Sequence, residues 1–333
     1  MRNIITLASV LAILAVSCGK TTDEQPPFDN VVRVSPDVSA MTRGYHVDAG
    51  TIQDFDLMVR NHHNSRYSYT NTRFTPNSNR TEWTPESMML WESQNAVVDF
   101  LAVSPSISTK GISLDNVGTD GSTIFEFEVE SNQTKESRKS DLLTYYGYGC
   151  SLSGENNTTK IDTDDAGKMR INFSHALCLF QVELNLGTEF NHNGIPEDCP
   201  ITNLTVDGTV LEGKYVWNLE TYAQGFRAEA KAGVTPSKIM AYPIKWEPAN
   251  NETKRSQAVF ECILIPQLVT HMRIDFILNG KPYTYTHGGD INPSYGGISM
   301  LLPLTVGKDE VILGGEITAS PWVDGGSKDI ETD

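Results

Sequence analysis

The most constraining feature of this sequence is an alternation of apolar and polar residues with a period of two. Phe125, Phe127 and Val129 alternate with glutamates, and the same pattern occurs at residues 169–174 and 180–186. Successive side chains of a β-strand point to opposite faces, so this pattern predicts strands with one buried and one solvated face. No long stretch has the 3.6-residue period of an amphipathic helix. The sequence therefore predicts an all-β protein.

Turn-forming pairs separate the predicted strands. Residues 272–285 predict a β-hairpin with Asn279-Gly280 at its tip, because this pair fits the tight turn of a hairpin. Residues 97–103 and 300–306 are more continuously apolar and predict central strands. Regular strands with frequent turns are typical of β-sandwiches, in which two sheets bury their apolar faces against each other.

The length and composition predict two folded domains. With 333 residues, the chain is long enough for two β domains, and 39% hydrophobic residues are sufficient for a buried core. A polar, turn-rich run at residues 153–167 lies near the middle of the chain. We therefore predict an N-terminal β-sandwich at residues 44–165 and a C-terminal β-sandwich at residues 166–333.

The first residues predict an exported lipoprotein. Arg2 precedes an apolar run at residues 4–16 that is too short to span a bilayer, and Cys18 and a polar stretch follow. This pattern predicts a lipoprotein signal peptide at residues 1–17 and lipidation of Cys18, whose acyl chains anchor the protein to a membrane. The alternative is an ordinary secretory signal with an incidental cysteine. Residues 18–43 contain a polar tether and a short alternating stretch at 31–38.

The other four cysteines have no CxxC spacing, which argues against a zinc knuckle or a thioredoxin-type site. They are Cys150, Cys178, Cys199 and Cys262. Two interpretations stay open at this point. Export favours disulfides, in one of three pairings, whereas an anaerobic host would leave four small buried thiols.

Recognisable motifs for catalysis or metal binding are absent from the sequence. Ser151 has no GxSxG context and no neighbour that would activate it. The acidic loop at residues 162–167 lacks oxygen ligands at the fifth and twelfth EF-hand positions. Adjacent His62 and His63 would point to opposite faces of a strand, and His175 is interpreted as a buried structural histidine. We therefore predict a non-enzymatic protein without a metal or cofactor.

Charge and aromatic content bear on the partners. The formal net charge is −16, so the surface repels phosphate groups and we predict no nucleic-acid partner. Tryptophans can stack on sugars, which opens glycan binding as an alternative, although aromatic residues also fill β-sandwich cores. The tryptophans are Trp83, Trp91, Trp217, Trp246 and Trp322.

Short motifs occur in a definite order along most of the mature chain. Met41-Thr42-Arg43-Gly44 follows the tether, and residues 97–105 read apolar-Asp-Phe-x-Ala-x-x-Pro. Further segments are residues 141–143, 171–177, 265–267 and 317–322. Each motif is short, but their order and spacing together resemble the fimbrillin family of Bacteroidetes, the type V pilus subunits and their Mfa-like relatives.

The resemblance implies a structural subunit of a cell-surface fimbria, built from two tandem transthyretin-like antiparallel β-sandwich domains. It implies export as a lipoprotein to the outer membrane and cleavage by an Arg-specific protease. Assembly would then occur by donor-strand exchange, in which another subunit supplies the missing strand. Arg43 is the predicted cleavage site, and Arg33 is the second choice because it lies inside the predicted strand.

The implied partners are other fimbrial subunits and a host or bacterial surface ligand, with a role in adhesion. Stalk, tip and anchor positions stay open. The alternative function is that of a surface glycan-binding lipoprotein of a polysaccharide-uptake system. Such a protein would share the signal peptide, the acidity and the tandem β domains.

Overall fold

The computed structural model describes most of the chain between residues 28 and 322. The described residues are 28–38, 52–107, 114–115, 117, 119–134, 140–192, 194–218, 225–293 and 295–322. They contain 23 strands, two short 3₁₀ helices at Ser65–Tyr67 and Thr188–Asn191, and no α-helix. The prediction of an all-β protein is confirmed, and the tandem transthyretin-like arrangement stays a prediction. The predicted signal peptide, Cys18 and Arg43 lie outside the described residues.

The N-terminal strands form the largest sheet. They are β1 Val34–Val38, β2 Phe55–Asn61, β3 Tyr69–Pro76, β4 Trp83–Pro85, β5 Val98–Ser104, β6 Thr123–Glu128, β7 Leu143–Ser151, β8 Thr159–Lys160 and β9 Met169–His175. Eight of these form one sheet in the order β1-β9-β7-β5-β2-β3-β4, with β8 paired to β7. The sequence places β1 first and β9 last among these strands, yet the two are neighbours at the edge of the sheet.

The remaining strands form smaller sheets. They are β10 Cys178–Leu186, β11 Ile201–Thr209, β12 Glu212–Asn218, β13 Gly225–Ala230, β14 Ser237–Met240, β15 Tyr242–Glu247, β16 Gln257–Leu264, β17 Val269–Thr270, β18 Arg273–Leu278, β19 Lys281–Thr286, β20 Asp290–Ile291, β21 Ile298–Val306, β22 Val311–Leu313 and β23 Thr318–Pro321. One six-stranded sheet has the order β15-β16-β10-β21-β22, with β23 also paired to β21. The other sheets are β14-β11-β18-β19, β13-β12-β6 and β17-β20.

Strand pairing runs across the predicted domain boundary at residue 165. β9 lies beyond this residue but belongs to the N-terminal sheet, and β6 lies before it but pairs with β12. These pairings connect parts of the chain that are far apart in sequence. The division into residues 44–165 and 166–333 stays a prediction.

The local predictions agree with the structure. β18 and β19 form the predicted hairpin, and Asn279 and Gly280 at its tip have φ of 50° and 79°. Both values are positive, as a type I′ turn requires, and Asn-Gly is the pair that best tolerates them. β5 lies between β7 and β2 and is buried throughout, which confirms the central strand predicted there. β21 lies between β10 and the short strands β22 and β23, but its side chains alternate between buried and half-buried.

A compact aromatic group forms the core beneath the N-terminal sheet. Phe55 stacks on Phe74 with ring centroids 5.1 Å apart and meets the edge of Phe173 at 5.5 Å. Val32 and Val34, at the start of the described chain, belong to the same buried cluster. The first strand of the chain therefore completes the core that the later strands build.

One buried carboxylate holds three strands of this sheet together. Asp99 on β5 accepts hydrogen bonds from Arg60 Nε on β2 at 2.9 Å and from Gly149 N on β7 at 2.8 Å. His62 Nε2 lies 2.9 Å from the same carboxylate. A buried charge is tolerated only when such partners replace the lost water, so Asp99 stabilises this sheet through its partners.

We predict that Asp99→Ala destabilises the protein by about 3 kcal/mol, because it removes the acceptor of the Gly149 amide and the carboxylate partner of the Arg60 guanidinium. The measurement is the free energy of unfolding from urea denaturation. The matched control is Asp165→Ala, at an exposed aspartate, which we expect to change this free energy by less than about 0.5 kcal/mol. Equal effects of the two substitutions would contradict the role of Asp99.

Candidate functional site in the N-terminal arm and its groove

The N-terminal arm, defined here as residues 28–38, begins with an antiparallel contact to the segment after β4. Trp91 N donates to Asn30 O at 2.7 Å, and Val32 N donates to Met89 O at 3.0 Å. These two bonds attach the start of the arm to the segment after β4, which is not the strand that β1 pairs with. The arm is therefore attached at two places.

The second attachment is the parallel pairing of β1 with β9. Val34 lies opposite Met169 and Val38 lies opposite Phe173, and Met169 N donates to the Arg33 carbonyl at 2.8 Å. Of the strand predicted at residues 31–38, the part Val34–Val38 is confirmed as an edge strand of the eight-stranded sheet, and Val31 forms an isolated bridge to Leu90. The hydrogen bonds of β1 join backbone groups alone, so any other strand of suitable shape can form the same bonds.

Side chains of the arm alternate between core and solvent. Val32 and Val34 are 2% and 4% exposed, and Pro36 is also buried. Arg33 and Asp37, between and after them, are exposed. Burying a valine stabilises the folded state by roughly 1.5–3 kcal/mol relative to an exposed one, so these side chains provide most of the arm's specific attachment.

The groove that receives the arm is apolar. Residues of the same buried cluster as Val32 and Val34 come from β9 and from the segment after β4, and they include Met89, Trp91, Met169, Ile171 and Phe173. If the arm left, these side chains and the backbone edge of β9 would meet water together. Such a surface has a high affinity for another apolar strand.

A short turn fixes the entry of the arm into the groove. Asp29 Oδ1 accepts a hydrogen bond from Val31 N at 3.0 Å, and Asp29 Oδ2 accepts one from Arg33 Nη1 at 2.5 Å. The Val31 amide and the Arg33 guanidinium hold the pKa of Asp29 below its ordinary value. Because this ion pair is exposed, it orients the chain and contributes little to stability.

Of the two predicted cleavage residues, the structure describes Arg33 but not Arg43. Arg33 lies within the arm, and its carbonyl accepts the Met169 hydrogen bond. A protease can reach this bond only after the backbone detaches, which disfavours Arg33 as a site. Arg43 lies outside the described residues, so cleavage there stays a prediction.

Most predicted sugar-stacking residues are core residues. Trp91, Trp217 and Trp322 are buried, whereas Trp83 and Trp246 are half-buried. The half-buried Trp246 lines a shallow pocket at the end of the β15–β16 hairpin. The pocket also contains three amide side chains, two cations and one carboxylate, namely Asn185, Asn250, Gln257, Lys254, Arg255 and Glu247.

The other polar residues considered for catalysis or metal binding have structural roles in the part of the chain that the structure describes. His175 Nδ1 donates to Asp141 Oδ2 at 2.7 Å inside the core, which confirms the predicted buried histidine. In the acidic loop, Asp164 Oδ1 accepts hydrogen bonds from Ala166 N at 2.9 Å and Lys168 N at 2.8 Å. Within the described part of the chain, no group of three or more His, Cys, Asp or Glu side chains is placed to hold a metal ion. Likewise, none of the helices in this part is long and apolar enough to cross a membrane.

The four cysteines described by the structure are free thiols, which supports the second of the two open interpretations. Burial raises the pKa of Cys150 to about 11 and raises the pKa values of Cys178 and Cys262 further. Since the thiolate is the reactive form, these residues behave as small apolar side chains at neutral pH.

Comparison with known protein families decides the relationship of this chain. The family model described as fimbrillin-like matches residues 42–322. The chain belongs to the fimbrillin-like family. The resemblance of the short motifs is thereby confirmed, and membership supports a fimbrial subunit of the cell surface with other fimbrial subunits as partners. No protein with a curated description matches the chain significantly.

Two solved structures share the fold of this fimbrillin-like chain, and a third is less similar. A candidate cell adhesion protein from Bacteroides uniformis has a TM-score of 0.52 at 14% identity and covers 90% of this chain and 100% of its own. One from Bacteroides ovatus has a TM-score of 0.53 at 14% identity, with the same coverage. A fimbrial protein from Bacteroides vulgatus has a TM-score of 0.46 at 14% identity and covers 89% of this chain and 100% of its own.

We predict that Val34→Asp displaces the arm of this fimbrillin-like chain, because a carboxylate at this position would lie unpaired in the core. In hydrogen exchange followed by mass spectrometry, peptides covering residues 31–38 should exchange at least about tenfold faster, since a tenfold change corresponds to about 1.4 kcal/mol. The matched control is Ser35→Asp, one residue along on the half-exposed face. The same acceleration in both variants would contradict a specific groove.

Proposed function

We propose that this fimbrillin-like protein is a non-enzymatic structural subunit of a cell-surface fimbria that assembles by donor-strand exchange and takes part in adhesion. The observation that supports the proposal most is the N-terminal arm. Its strand pairs at a sheet edge through unspecific backbone bonds, and Val32 and Val34 fill an apolar groove. A strand of this kind can be exchanged for one from a neighbouring subunit without a change in the rest of the sheet.

Proteolysis would act as the switch for this exchange. While the chain is intact, the arm is tethered to its own groove and has a high effective concentration there. A cut after Arg43 would remove the covalent link, and with it the lipid proposed at Cys18. The arm would then be held only by its non-covalent contacts, and a strand from another subunit would compete on equal terms.

The C-terminal strand supplies a candidate donor. Residues 317–323 read Ile-Thr-Ala-Ser-Pro-Trp-Val, and residues 32–38 read Val-Arg-Val-Ser-Pro-Asp-Val. Both place apolar side chains at alternate positions and share the Ser-Pro-x-Val ending. β23, which contains most of the C-terminal segment, is an exposed edge strand on β21. Subunits joined through such a donor and the groove would be arranged head to tail, which produces an open filament.

Export would bring the protein to its place of assembly. The proposed path is a lipoprotein signal at residues 1–17, lipidation of Cys18 and presentation at the outer membrane. A subunit that escapes cleavage would keep its lipid and remain an anchor, whereas a cleaved one would enter the filament.

We predict that an Arg-specific protease trims the purified chain to a core that begins at Gly44, and that Arg43→Ala abolishes this product. Arg33→Ala is the control and should leave it unchanged, because the Arg33 backbone is paired with β9. Intact mass after digestion gives the new N-terminus.

The trimmed protein should then form oligomers in size-exclusion chromatography with light scattering, or bind a peptide of residues 315–323. A trimmed core that stays monomeric and ignores this peptide would contradict assembly by strand exchange. A chain that resists cutting at both arginines would contradict the proteolytic switch.

A second candidate function is the recognition of a surface glycan, and the pocket beside Trp246 favours it. The indole can stack on a sugar ring, amide side chains can bond its hydroxyl groups, and Lys254 and Arg255 can pair with an acidic substituent. Such a ligand would be of host or bacterial origin. This function is compatible with a fimbrial position and would supply its adhesion.

We predict that a glycan array gives saturable binding to acidic saccharides, and that Trp246→Ala reduces this binding by at least about tenfold, given roughly 0.5–1.5 kcal/mol for aromatic stacking plus lost contact area. The matched control is Trp83→Ala, the other half-buried tryptophan, which lies in the N-terminal sheet. An array without reproducible binding would contradict the glycan function and leave the fimbrial one unaffected.

A further inference from the structure

His175 links the two ends of the described chain. It is the last residue of β9, the strand that receives the N-terminal arm, and its ring stacks on Trp322 with centroids 3.6 Å apart and an angle of 16°. Trp322 directly follows β23 and is 0% exposed. His175 therefore lies on the strand that pairs with the arm and also packs against the residue that follows the C-terminal strand β23.

The orientation of His175 is fixed from the other side of its ring. Its Nδ1 donates to Asp141 Oδ2 at 2.7 Å, and both side chains are buried. Asp141 lies just before β7, where Leu143 is paired with His175. The ring can keep its stacking geometry only while the end of β9 stays in register with β7.

The backbone at this point connects the same elements. Trp322 N donates to Gly297 O at 2.7 Å, and Gly297 N donates to Leu177 O at 2.8 Å, two residues after β9. At Gly296, a Cβ atom would lie 2.3 Å from the carbonyl oxygen of Ala176, so the approach requires glycine. The backbone at Trp322 is thus linked through Gly297 to Leu177, which follows β9 in the chain.

Most of β9 depends on the arm for its strand pairing. The register between β1 and β9 runs from Val34 opposite Met169 to Val38 opposite Phe173. The register between β7 and β9 contains only Leu143 opposite His175 and Thr144 opposite Ser174. Loss of β1 therefore removes the longer of the two ladders that hold β9. What remains is the short ladder at His175 and, at the start of β9, the bond from Arg170 N to Asp162 O at 2.9 Å.

We infer that β9 and His175 couple the N-terminal arm to the C-terminal strand, so that release of either one loosens the other. Coupling of this kind is reciprocal, because each event changes the free energy of the other by the same amount. The coupling passes through β9, a packed element with one arrangement when β1 is paired to it and another when β1 is absent.

The biological consequence, which alone rests on the proposed function, is a control on assembly. A subunit that still holds its arm would also hold its C-terminal strand and offer no donor. The cut that opens the groove would release the donor in the same molecule, so premature polymerisation in the cell would be prevented.

The first test uses the uncut full chain with Val34→Asp and follows hydrogen exchange of peptides covering residues 315–322. Where the arm is displaced, we expect these peptides to exchange at least about fivefold faster than in the wild type, a typical lower value for coupled sites. Peptides of the β18–β19 hairpin should not change, which separates coupling from general destabilisation. An unchanged C-terminal strand beside a displaced arm would overturn the inference.

The second test is Trp322→Ala in the same uncut chain, with exchange of residues 31–38 as the readout. We expect these residues to exchange faster by the same factor as in the first test. The matched control is Trp246→Ala, on β15, which belongs to a different sheet from β9. If Val34→Asp does not displace the arm, Trp322→Ala becomes the deciding variant. Unchanged exchange of residues 31–38 in Trp322→Ala would then overturn the inference. Neither test needs a protease or a second subunit, so failure of cleavage or of polymerisation would be seen separately.

Discussion

Backbone hydrogen bonds between β1 and β9 close the edge of the eight-stranded sheet, and the burial of Val32 and Val34 secures them. These bonds have no side-chain specificity, whereas the valines fit an apolar groove between β9 and the segment after β4. β1 thus completes the sheet, but within the sheet it pairs only with β9, at the edge. An interaction of this kind can be lost and replaced while the body of the protein persists.

The rest of the sheet has its own support. Asp99 ties β2, β5 and β7 through buried hydrogen bonds, and β5 is covered on both faces. These contacts do not involve the arm. The contacts of Asp99 and the attachment of the arm therefore depend on different residues, which is compatible with the strand exchange proposed above. The fimbrillin-like relationship gives this division of roles its biological context.

Several features of the site were visible in the sequence because they are local. The alternation at residues 31–38 predicted a strand, and the Asn279-Gly280 pair predicted the hairpin that β18 and β19 form. The roles of Asp99 and Trp322 and the partners of the buried His175 were not predicted, although all three residues lie in motifs that resemble the family. Their roles depend on contacts with distant residues, such as the stacking of His175 on Trp322. The only local signal was their presence as polar or aromatic residues beside apolar strands.

The sequence by itself determined that the protein is all-β, where many strands lie and to which family it belongs. Period-two patterning and short motifs are properties of neighbouring residues, so they can be read without a structure. Only the tertiary structure decided which strands are partners, including the parallel contact of β1 with β9 and the crossing of β6 to β12. The physical reason is that strands pair through backbone groups that are nearly the same at every residue. The choice of partner therefore depends on which apolar surfaces can be buried together in the complete fold.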